Sequence, residues 1–231
     1  MDEGLSGWED HHGRMGQNKL RRVEHPGQSE CLVHFCGRGN AFQTTDGLTP
    51  QQRLDSIFHS GGFQASIALT RAWPVVCFSE STPRGVEKLL GPKRWDGWGI
   101  VVSRDWVWER GGGPIWYARD DLDPSPIGQL DPRSLAWHLK TTPQDNDWLH
   151  EREWRVPCDP NTPFLPIDVS DVVAVVVSDR AWEPTELGME QTPDGHLAEA
   201  LRTVPVTRWW WNGQTIQVLE PEPPALGFVQ P

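Results

Sequence analysis

The chain has 231 residues, 37% of them hydrophobic and 23% charged, with a formal net charge of −11. This length and mix fit one compact domain with a sizeable core and exclude both a highly charged disordered polymer and a chain built to live in a bilayer. The negative balance also disfavours a charge-driven grip on duplex nucleic acid, which relies on Lys and Arg displacing counterions from phosphates. Tryptophan is over-used, with 14 Trp against 1 Tyr and 7 Phe. Met1 to Asp10 carries no apolar stretch of the kind found in a leader, and no apolar run is long enough to span a membrane, so a cytoplasmic protein is expected. Cys31, Cys36, Cys77 and Cys158 follow neither a zinc-ligand spacing nor a disulfide framework, which predicts reduced thiols and no metal site.

Residues 1–29 are polar and without periodicity, and are expected to form a flexible arm. Cys31 to Phe35 predicts the first strand. Thr49-Pro50 supplies an N-cap and a proline in the first turn, and Leu54, Ile57 and Phe58 share a helical face before the Gly61-Gly62 stop. Pro74 to Phe78 reads as a strand and Pro83 to Leu90 as a short helix ended by Gly91-Pro92. Trp98 to Val102 predicts a strand, Arg104 to Arg110 a helical turn, and Pro114 to Tyr117 a further strand. Residues 120–146, rich in proline and acids, read as an excursion from the core, with one short helix around Leu135 to Leu139.

Glu151 to Val156 and the apolar run Val172 to Val177 are the next strands, with a weaker helix signal at 195–202. Asn212-Gly213 predicts a two-residue hairpin between Val204–Trp211 and Thr215–Leu219, and the proline-rich residues 221–231 predict an extended tail. The sum is a single α+β domain over residues 30–220, with roughly six to eight short strands and few short helices. A doubly wound nucleotide fold is disfavoured, because Gly111-Gly112-Gly113 leads into a strand and no glycine loop opens a helix.

Among chemistry-bearing residues, Glu151 and Glu153 stand two apart on a predicted strand and would share a face. Paired acids on one face suit a cation or a cationic transition state between them; alternatively Arg152 and Arg155 neutralise a solvated strand face. His34 closes an apolar strand before a glycine loop, a place that suits contact with a nucleotide amide or ribose, or else a hydrogen-bonded structural histidine. Ser79 lacks the G-x-S-x-G setting of a nucleophile elbow.

Taken in order, His34-Phe35-Cys36, Leu54-x-x-Ile57-Phe58-x-x-Gly61, Val75-Val76-Cys77-Phe78, Trp98-Gly99-Ile100-Val101, Pro114-Ile115-Trp116-Tyr117 and Glu151-Arg152-Glu153-Trp154-Arg155-Val156 resemble bacterial ADP-ribosyltransferase-fold proteins. The resemblance is to the DarT-like and AbiGi-like abortive-infection groups. It implies an ADP-ribosyltransferase-like core of short mixed or antiparallel strands. It also implies transfer of ADP-ribose from NAD to a nucleic-acid base or a protein side chain, in a toxin or phage-defence setting. A single-stranded acceptor stacked on tryptophan fits the acidic chain better than a duplex. Carried over residue by residue, Glu153 matches the catalytic glutamate and Glu151 the first acid of an E-x-E pattern. His34, Phe35 and Cys36 would lie at the nicotinamide side, with Cys36 standing where the pattern has Thr. Arg71 would hold the pyrophosphate, and Trp116 or Tyr117 would stack on nicotinamide. An antitoxin is among the partners the resemblance implies. Its competing reading is a catalytically inactive module of the same fold that serves as a sensor or interaction partner in defence.

Overall fold

The computed structural model describes residues 29–37, 47–67, 73–91, 95–119, 129–141, 151–183 and 206–219. In chain order their elements are β1 (Cys31–Phe35), α1 (Pro50–Ser60), β2 (Gly62–Gln64), β3 (Val75–Glu80), α2 (Pro83–Leu89), β4 (Gly99–Ser103), α3 (Arg104–Glu109) and β5 (Gly113–Pro114). There follow β6 (Trp116–Arg119), β7 (His138–Thr141), β8 (Glu153–Pro157), β9 (Phe164–Pro166), β10 (Val172–Val177), β11 (Thr207–Trp211) and β12 (Ile216–Leu219). The α+β class matches the expectation. The strands outnumber it because several, such as β5 with 2 residues and β2 with 3, are too short to leave a periodic signal.

The helices begin where hydroxyl residues can take up orphan amides. Thr49 Oγ1 accepts from the Gln52 amide and Gln52 returns a bond to the Thr49 amide, closing a capping box, while Gly61 ends α1 in the left-handed region at φ 70°. Thr82 caps α2 and Ser103 caps α3 in the same manner at one amide each.

Eight strands form one sheet in the order β12-β11-β10-β4-β1-β3-β8-β5. Only the β10–β11 ladder in it is parallel. Pleating sends alternate side chains to two separate cores. Leu32, Phe78, Ile100 and Trp154 face α1, α3 and β2. Val33, Val101, Ala174 and Val176 face α2. The consecutive tryptophans of β11 divide the same way: Trp209 is buried on the α2 side with Trp211 beside it, and Trp210 packs on the other core. They are largely core material.

Three expectations change. The helix around Leu135 to Leu139 is one 3-10 turn, Ser134–Trp137, that runs straight into β7. β7 pairs in parallel with β6, so this part of the predicted excursion is packed structure. The hairpin between β11 and β12 has a four-residue connection, since Trp211 pairs with Ile216; Asn212 Oδ1 accepts from the amides of Gln214 and Thr215, and Gly213 takes φ 94°. The 1–28 arm, the 195–202 helix and the 221–231 tail lie outside the described residues.

Candidate active site

The long crossovers of the sheet place β1, β3 and β8 side by side, so that Val33 lies opposite Ser79 and Ser79 opposite Glu153. Glu153 is the first residue of β8 and is only 7% exposed. Its carboxylate is gripped by Arg155, whose Nε donates to Oε1 at 2.7 Å and whose Nη2 donates to Oε2 at 3.3 Å. Arg155 itself is 0% exposed and its Nη1 donates to the carbonyls of Ala136 at 2.7 Å and His138 at 3.4 Å. Burial works against the guanidinium charge, but the hydrogen bonds and charge of Glu153 hold its pKa above the ordinary arginine value. The face carrying these groups is therefore a buried ion pair and not the solvated, charge-neutralised strand that the sequence allowed.

Glu151 does not share the strand. Arg152 sits at φ 45°, a conformation unusual for any residue but glycine, and interrupts the run before β8 begins. It is held there from β3: Arg152 Nη2 donates to Glu80 Oε2 at 3.1 Å, and the Glu80 amide donates to the Arg152 carbonyl at 3.2 Å. Glu80, buried, also accepts from the Ser29 amide and from Trp154 Nε1. The same break leaves Glu151 buried as an acceptor of Trp95 Nε1 at 3.2 Å. Trp95 in turn stacks on Phe35, with ring centroids 5.2 Å apart and planes 14° from parallel.

Tyr117 lies within reach of the charges of both acids. Its hydroxyl oxygen accepts from the Glu153 amide at 2.8 Å. Burial, then the charges of Glu153 and Glu151, push that hydroxyl up to about 12, so it stays protonated at neutral pH. Neighbouring Trp116 is 55% exposed and meets His138 edge-on at 5.5 Å.

The structure thus brings Glu151, Glu153, Tyr117 and Phe35 to one region, with Trp95 as a partner that sequence reasoning did not single out and Arg155, expected as a neutralising charge on a solvated face, as a buried partner of Glu153. The E-x-R spacing of Glu153 and Arg155 was the available signal, because residues two apart on a strand share a face. His34 lies elsewhere. It pairs in register with Ile100 and points to the α1 side, edge-on to Phe63 at 4.8 Å and Phe78 at 5.8 Å. Its Nδ1 donates to the Cys77 carbonyl at 2.9 Å, so sheet pleating sets it on the face opposite Glu153. Cys36 is buried in the α1 core, and burial holds its thiol far above the ordinary range. Arg71 lies outside the described residues. Among the described residues no cluster of His, Cys, Asp and Glu is arranged to hold a metal, and no helix is long and apolar enough to cross a membrane.

Compared with known proteins, the chain matches no family model, no curated protein and no solved structure.

Proposed function

We propose that the chain is an NAD-dependent mono-ADP-ribosyltransferase, with an ADP-ribosyltransferase-like core, acting on a nucleic-acid base or a protein side chain in bacterial conflict. The observation that supports this reading is that Tyr117, bonded to the Glu153 amide, feels the charges of both Glu153 and Glu151, while Glu151 is bonded to Trp95 of the stacked Phe35–Trp95 pair. The carboxylates suit a substrate that is cationic at the reacting end, and the aromatic surfaces suit the positively charged nicotinamide ring.

In the reaction the C1′–N bond of NAD breaks and its electron pair leaves with nicotinamide, which becomes neutral. Positive charge then spreads over the ribose C1′ and ring oxygen. Glu153 stabilises it, and Glu151 accepts the proton that the acceptor loses as its nucleophilic atom bonds to C1′. Arg155 takes one lone pair on each Glu153 oxygen and the Cys77 side chain also bonds the carboxylate, which leaves it capacity to accept from a ribose hydroxyl.

A second reading has its own observation. Glu153 is nearly covered and both its oxygens are bonded to Arg155, an arrangement equally suited to an inactive module of the same fold serving as a sensor or partner in defence. Incubation with labelled NAD and cell lysate separates the two. The transferase reading expects nicotinamide release and label in nucleic acid or protein, falling on the order of 100-fold in Glu153→Gln. Equal labelling by wild type and Glu153→Gln overturns the assignment of the glutamate. No labelling, with no heat on titration of millimolar NAD, favours the inactive module.

A further inference from the structure

Glu153 is held from β3 by its pairing opposite Ser79 and by a hydrogen bond with the buried Cys77 side chain, and a second set of restraints comes from one small unit. Tyr117 belongs to β6, the His138 carbonyl to β7, and the Ala136 carbonyl to the 3-10 turn that leads into β7. β6 and β7 pair with each other, Trp116 opposite His138 and Tyr117 opposite Leu139, in a two-stranded sheet separate from the main one. This small unit touches β8 at both ends of the glutamate. On the backbone side, the Tyr117 oxygen receives the Glu153 amide proton, and the Ile115 amide just before β6 donates to the Glu153 carbonyl at 3.0 Å. On the side-chain side, the carbonyls of Ala136 and His138 hold the guanidinium whose other two nitrogens hold the carboxylate.

From this arrangement we infer that Tyr117 and Arg155 are positioning residues, through which the β6–β7 unit sets the direction of the Glu153 carboxylate. The inference rests on the reading of Glu153 as the glutamate that acts on the NAD ribose. Neither positioning residue needs to touch NAD. Arg155 is fully enclosed, and its planar fork suits a bidentate carboxylate in a way that the point charge of a lysine does not. Tyr117 restrains the amide of the same residue, so a carboxylate freed at either point would sample directions unsuited to the ribose. Displacements of about 1 Å at a reacting group cost on the order of 100-fold in rate.

The test measures NAD turnover in Tyr117→Phe and Arg155→Lys, each alone and combined with Glu153→Gln. Tyr117→Phe removes one oxygen at a half-buried position and keeps the ring, which makes it the variant best able to fold; Arg155→Lys alters a fully buried group, and its data count only where the melting transition is retained. The expected result for Tyr117→Phe is a kcat lower by roughly 10- to 100-fold with the KM for NAD within about twofold. In the Glu153→Gln background the same substitution has no further effect, because a residue that acts through the glutamate has nothing left to position. Unchanged kcat in Tyr117→Phe, a loss confined to KM, or an equal loss with and without Glu153 overturns the inference while leaving the transferase reading intact. A wild-type chain without turnover overturns that reading and this inference together.

Discussion

His34 is held as a neutral imidazole by its surroundings. Burial between Phe63 and Phe78 comes first, the Arg53 charge adds to it, and together they lower the ring from 6.5 to about 4 against the opposing bond to the Cys77 carbonyl. A ring that resists protonation when folded but takes a proton readily when unfolded favours the unfolded chain in acid. The cost is absent above the unfolded value of 6.5 and grows as pH falls towards the folded value of about 4. Between pH 7 and pH 5 this residue is expected to remove about 2 kcal/mol of stability. Urea unfolding of wild type and His34→Gln at the two pH values checks it, the variant showing a pH dependence smaller by about that amount. At this scale the sequence was only partly readable. It offered His34 as a strand-end histidine, but which face it takes follows from pairing with Ile100, 66 positions along the chain.

At the scale of elements, α1 was the most legible, because its signals are local. Thr49, Pro50 and Gly61 all act within a turn or so of themselves, and the structure reproduces the expected boundaries. Thr49→Ala deletes the hydroxyl that serves the Gln52 amide, and is expected to lower stability by about 1 kcal/mol in denaturant titration with an unchanged m-value. The start of β8 was illegible for the opposite reason. A strand running from Glu151 fits the residue pattern, yet Arg152 adopts its left-handed backbone because Glu80, 72 positions earlier, holds its side chain and carbonyl. Without that remote partner, alternation alone put Glu151 and Glu153 on one face. The β6–β7 ladder was missed similarly, since parallel pairing joins segments with no hairpin signal between them.

For the molecule as a whole, the charge of −11 and the way the sheet is closed bear on what can approach it. Long-range repulsion from phosphates is expected to prevent tight association with duplex DNA: fluorescence anisotropy at about 150 mM salt should show no saturation with duplex up to tens of micromolar, well below the affinity of specific duplex readers. One edge of the large sheet is β5, two residues long and ending in Pro114, which has no amide to offer another strand. At the other edge, the Ile216 amide of β12 is taken by Glu87 of α2.

The enclosed guanidinium of Arg155 also constrains how the domain can be shortened or built. Its positive charge cannot be discharged at any ordinary pH, and it sits fully buried between a carboxylate and the two carbonyls of residues 136 and 138. Excising the segment around those carbonyls would strip a permanent cation of half its partners inside the protein, a change that costs several kcal/mol. Residues 129–141, which resemble an insertion when read as a string of letters, are by their bonds to Arg155 tied to the strand that carries Glu153.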